Sequence, residues 1–102
     1  MVEVNWTPQS IEDIENIAEY ISKNSLKYAL IQAQDFFDAA LILETYPKAG
    51  RVVPELDNKI VRELIVGFYR LIYRIKDSDH IEVLTVYHSM RLLKPRTLKK
   101  RT

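Results

Sequence analysis

The chain has 102 residues, of which 47% are hydrophobic, and 15 Lys+Arg stand against 14 Asp+Glu for a net charge of +1. That length fits a single domain, and the apolar share excludes a disordered chain, a collagen-like repeat or a coiled-coil rod. Cysteine is absent, which excludes a disulfide framework, a thiolate metal cluster and a cysteine nucleophile.

No apolar run approaches the roughly 20 residues that span a bilayer. The opening MVEVNWTPQS lacks the basic and apolar regions of a secretory signal. The expectation is a small cytoplasmic protein without a membrane partner. The near-neutral total hides a polarity. Residues 1–50 carry a net −5, residues 51–90 balance, and residues 91–102 hold six Arg/Lys and no acid. A basic tail of this kind either meets a polyanion or is simply solvated.

Val2, Val4 and Trp6 alternate with Glu3 and Asn5, which predicts a half-buried strand. Thr7-Pro8 reads as an N-cap followed by proline at the first helical position. Ile11, Ile14, Ile17, Ala18 and Ile21 then recur at helical spacing, with Glu12, Asp13, Glu15 and Glu19 read as a solvated face. Asn24-Ser25 marks a stop and a new cap, so a second helix is expected from about Leu26 to Tyr46, ended by Pro47. It carries two apolar stripes, one through Ala29, Ala33, Phe36, Ala40 and Leu43, another through Leu30, Phe37 and Leu41. Both are expected to be covered.

Residues 47–59 are rich in Pro, Gly, Asp and Asn and read as a connecting loop. Three strand-like runs follow, Ile60–Val66, Phe68–Ile75 and Ile81–His88, joined by connections short enough for antiparallel neighbours. The fold class is therefore α+β in the order β-α-α-β-β-β, a helical hairpin packed on one face of a small, mainly antiparallel sheet. Residues 1–91 form one domain and 92–102 a basic tail.

Alternation in the middle run sends Tyr69, Leu71, Tyr73 and Ile75 toward the hairpin and Phe68, Arg70, Ile72 and Arg74 to the opposite, open face. A mid-strand arginine is costly to bury alone; Arg70 is expected to meet solvent, Glu63 or an anionic ligand. His80 falls in a turn. His88 ends the last strand, where a structural role competes with proton transfer near neutral pH. No carboxylate cluster has the spacing of a hydrolytic metal site. Gly50 and Gly67 are the chain's two glycines, too few for a phosphate-binding loop. Neither metal nor cofactor is expected.

Four segments, VNWTPQSIEDIENIAEYI, YPKAGRVVPEL, VRELIVGFYRLIYRI and IEVLTVYHSMR, follow in order over residues 2 to about 91. Together they resemble the RelE/ParE superfamily of toxins from bacterial toxin–antitoxin pairs, and its ParE, or plasmid-stabilisation, branch in particular. The resemblance implies a toxin silenced by a cognate antitoxin. ParE-like members inhibit DNA gyrase by binding. RelE-like members are ribosome-dependent endonucleases that cut mRNA.

The nuclease pattern carries over in part. Arg70 and Arg91 match its two arginines, His88 resembles the terminal histidine of the YoeB-like branch, and Glu63 could supply a carboxylate. The lysine positions fall on Val61 and Glu63, no tyrosine follows Arg91, and Ser89 stands where a tyrosine follows the histidine. Phosphate stabilisation is intact and the proton-transfer set incomplete. The reading leans against an enzyme and toward a gyrase-binding toxin. The alternatives are a metal-independent mRNA endonuclease, using Arg70, His88, Arg91 and Glu63, and a non-toxic interaction module. Partner contacts are expected from Arg70, Arg74, Arg91, Lys99, Lys100 and Arg101, with antitoxin anchors on the helices. Homodimer and toxin–antitoxin hetero-oligomer both stay open.

Overall fold

The structure, a computed structural model, describes residues 1–90; the expectations placed on Arg91, Lys99, Lys100 and Arg101 lie outside the described residues. Strand β1 (Glu3–Trp6) leads into helix α1 (Pro8–Ser22), then α2 (Leu26–Thr45), β2 (Arg51–Val52), β3 (Val61–Val66), β4 (Tyr69–Ile75) and β5 (His80–His88). The caps are those the sequence predicts. Thr7 Oγ1 accepts the Ser10 N–H, and Ser25 Oγ accepts the Tyr28 N–H, each at 3.2 Å.

The five strands form one sheet in the order β1-β5-β4-β3-β2, parallel between β1 and β5 and antiparallel elsewhere. The fold class is as expected, with one addition. β2 lies inside the segment expected to be loop, and pairs with β3 at Arg51↔Glu63 and Val52↔Arg62. Two residues are too few for alternation to betray a strand. Gly50 lets this strand come close: a Cβ there would sit 2.5 Å from the Glu63 carbonyl oxygen. Gly67 opens the two-residue β3–β4 turn at φ +61°, a conformation that favours glycine.

The helical hairpin covers one face of the sheet. Phe36, Leu43, Leu71, Tyr73, Ile81 and Val83 are fully buried there, with Tyr69 and Ile75 packed at the margin. Tyr73 anchors the chain that follows α2. Its hydroxyl donates to the Pro47 carbonyl at 2.8 Å and accepts the Gly50 N–H at 2.9 Å. Burial pushes the Tyr73 phenol above its ordinary pKa, and the Gly50 bond and the Arg62 charge pull partly against that.

Three expectations need correction. The opposite face is not open: residues 53–59 fold over it, placing Val53 and Leu56 against Val61, Ile72, Leu84 and Tyr87. These apolar anchors are few and set among turn residues, so composition hides them. The second stripe of α2 is not covered, since Leu30 and Leu41 remain 64% and 60% exposed, with Phe37 tilted against Trp6. Finally, Asp13 is not part of a solvated face. It accepts hydrogen bonds from the Thr85 hydroxyl and, at 3.1 Å, from the Val86 N–H. β1 pairs with β5 only as far as Val83, so α1 occupies the edge beyond it.

The β4–β5 ladder slips between Ile72 and Tyr73, which face Thr85 and Val83 and leave Leu84 as the extra residue. The bulge puts Val83 and Val86 in one core and Leu84 and Tyr87 in the other.

Candidate functional site

Arg70 stands in mid-β4 on the face turned away from the helices, opposite Ile65 of β3 and Tyr87 of β5. Its side chain is 6% exposed, which requires charge compensation on the spot. Two carboxylates supply it. Glu63 of β3, whose side chain is completely buried, receives the Arg70 Nε–H on Oε1 at 2.7 Å. Glu55 reaches in from the covering loop and takes the other side of the guanidinium as a fork: Nη1 to Oε2 at 2.6 Å and Nη2 to Oε1 at 2.8 Å. The second oxygen of Glu63 binds Arg51 Nε at 2.6 Å. These four side chains form a chain of alternating charge. The carboxylates, Glu55 foremost, hold the Arg70 pKa above its already high ordinary value, so it stays a cation at any physiological pH.

A cavity of about 400 Å³ opens beside this cluster, lined by Arg51, Pro54, Glu55, Ile65, Arg70 and Ser89. A second of about 420 Å³ lies where the end of β5 meets α1, with Asp13, Tyr20, Tyr69 and His88 among its lining residues. His88 belongs to this second region. It pairs with Tyr69, which faces the helices, and their rings meet edge to face at 5.6 Å. Burial, with a contribution from Tyr20, raises the pKa of the Tyr69 phenol.

Of the residues expected to act together, the structure joins Glu63 to Arg70 and sets His88 on the opposite face of the sheet. Arg74 is 35% exposed and bonded to Glu82 of the neighbouring strand. Arg51 and Glu55 escaped the sequence reading. Glu55 lies in a turn-rich loop, where no periodicity marks which way a side chain faces. Only the partner that a buried Arg70 demands could have pointed to it.

A model of the ParE toxin of type II toxin–antitoxin systems, parDE, matches residues 4–93. The chain belongs to this ParE toxin family. Among solved structures it is similar to the chromosomal ParDE toxin–antitoxin system from P. aeruginosa. The TM-score is 0.71 at 22% identity, over 86% of this chain and 96% of that one. It is also similar to the YoeB–YefM toxin–antitoxin heterotetramer from Staphylococcus aureus, with a TM-score of 0.53 at 15% identity, over 86% of this chain and 97% of that one. At such identities the structures establish the shared fold. Comparison with curated protein sequences returns no match. Among the described residues, no helix is long and apolar enough to cross a membrane.

Proposed function

We propose that this ParE family member is a toxin that acts by binding, inhibiting DNA gyrase without chemistry of its own, and that a cognate antitoxin neutralises it. The observation that carries the reading is the separation of His88 from the Arg70–Glu63 pair. A nuclease needs a proton carrier and a phosphate-holding cation at one reacting group. Here Arg70 is engaged by two carboxylates, and the histidine sits across the sheet.

The antitoxin follows from the uncovered stripe of α2. Leu26, Leu30 and Leu41 of this helix are all at least 60% exposed, and Leu41 lines a groove with Val4, Trp6 and Phe37. Contiguous apolar surface of this kind marks an interaction site, and an amphipathic helix or an added strand suits it. The basic tail, with Lys99, Lys100 and Arg101, adds electrostatic attraction for gyrase or its DNA, and Arg74 a contact at the sheet. Lys99→Glu with Arg101→Glu then weakens target inhibition and flattens its salt dependence.

The deciding experiment pairs two assays on purified protein. Inhibition of gyrase supercoiling with trapped cleaved DNA, and mRNA left whole on the ribosome, is the expected result. A second reading rests on the residues that match the nuclease pattern: ribosome-dependent mRNA cleavage with Arg70, His88, Glu63 and Arg91. Cleavage in a translation extract that disappears in Arg70→Ala and His88→Ala would establish it instead.

A further inference from the structure

We propose that the cavity beside Arg51 and Arg70 is a carboxylate-exchange site: the Glu55 carboxylate is a resident internal ligand, displaced by an acidic side chain of a partner polypeptide. The proposal rests on reading this chain as a protein that works through partners, and it assigns the chemistry of one contact.

The two carboxylates on Arg70 are not equivalent. Glu63 lies in the middle of a paired strand, is wholly buried and bridges both arginines. It is part of the framework. Glu55 hangs from a loop and its side chain is 20% exposed. The loop is held by other contacts: Val53 and Leu56 in the apolar cluster, and the Val53 N–H on the Val61 carbonyl at 3.2 Å. Rotation of the Glu55 side chain into the cavity therefore frees its place without unfolding the loop.

Charge sets what replaces it. Among the described residues Arg51 and Arg70 face Glu55 and Glu63, so departure of Glu55 takes one negative charge away from an arginine whose side chain is itself 6% exposed. An arriving anion restores that charge, and the fork that Glu55 fills is the bidentate geometry that a guanidinium offers a carboxylate. Phosphate also fits a guanidinium fork. Yet a nucleic-acid backbone is held by an excess of cations, whereas the described residues of this slot set two carboxylates against two arginines, with Pro54 and Ile65 in its wall. Ile65 and the adjacent Phe68 are 55% and 75% exposed, so an Asp or Glu flanked by apolar residues matches both floor and rim.

Chemical rescue of Glu55→Ala tests this. The variant should melt below the parent protein, because Arg70 loses half its compensation. Sodium acetate should raise its melting temperature by several degrees over sodium chloride at equal ionic strength, while the parent protein responds to neither. Removing the cation as well, in Glu55→Ala with Arg70→Met, should abolish the rescue. Equal responses of parent and variant, or rescue that survives loss of Arg70, would overturn the proposal. Stronger rescue by inorganic phosphate than by acetate would overturn the carboxylate assignment in favour of a nucleic-acid ligand. Should Glu55→Ala fail to fold, Glu55→Gln keeps the shape of the side chain. Acetate should then shift its Arg70 Nη–H resonances at concentrations at least tenfold lower than in the parent, and unchanged resonances sink the idea. None of these readouts involves gyrase, so this site and the proposed target stand or fall separately.

Discussion

The two faces of the sheet are built on different principles. Under the helices lies a core of aromatic and aliphatic side chains, with the Tyr73 hydroxyl bonded twice at its rim. Under the 53–59 loop lies a smaller apolar cluster, and beside it four charges compensate one another. Apolar packing gains free energy from area alone and needs no particular partner. A buried ion pair roughly breaks even, and its loss is costly only when one member remains. The helix face therefore holds the molecule together, and the loop face holds a specific arrangement.

Substitutions can break or sharpen that contrast. Phe36→Ala removes a fully buried ring from the first face and should cost about 3–5 kcal/mol in denaturant unfolding, the largest single loss. On the second face, Arg70→Ala should cost about 3 kcal/mol by leaving Glu63 short of a partner, while Arg70→Met with Glu63→Leu recovers most of it. If that double variant is as unstable as the single, the ionic cluster is a stability element and the contrast fails. Thr7→Ala should cost about 1–2 kcal/mol, because the hydroxyl both caps α1 and donates to the Val83 carbonyl at 2.8 Å.

Neither face accounts for the outer stripe of α2. Leu30→Ser with Leu41→Ser should change stability by less than about 0.5 kcal/mol yet weaken antitoxin binding at least tenfold. The smallest effect is electrostatic. Asp77, through a 2.8 Å contact to its ring, raises the His80 pKa, and the Asp79 N–H and His80 lower that of Asp77. The stabilisation from His80 is therefore present below about pH 6.5 and fades as pH rises through its raised folded value. That from Asp77 is present above about pH 4 and fades as pH falls through its lowered one. Both groups are exposed, so the change is visible by NMR titration and scarcely by melting.

The helices and the face-sorting of β4 were legible because proline, the Thr and Ser caps and the spacing of Ile and Ala are local signals. Glu63 was legible as one of three possible surroundings for Arg70, beside solvent and an anionic ligand, but its burial under the loop was not. What escaped depended on chain far away. Simple alternation through β5 would place Tyr87 with Ile81 and Val83, but the bulge at Leu84 moves it to the loop face and puts Val86 in its stead. The lid of residues 53–59, and with it Glu55, shows no periodicity because a two-residue strand and a turn-rich loop display none. The exposed flank of α2 was misjudged for a different reason: apolar surface meant for another molecule reads, in one sequence, as apolar surface meant for the core.

Asp13 has a consequence for assembly. By taking the Val86 N–H, its carboxylate stands in for the strand that β1 is too short to provide. An incoming peptide seeking main-chain bonds at that margin finds the Val86 donor already occupied. Growth of the sheet by a foreign strand is thereby discouraged along that stretch of β5.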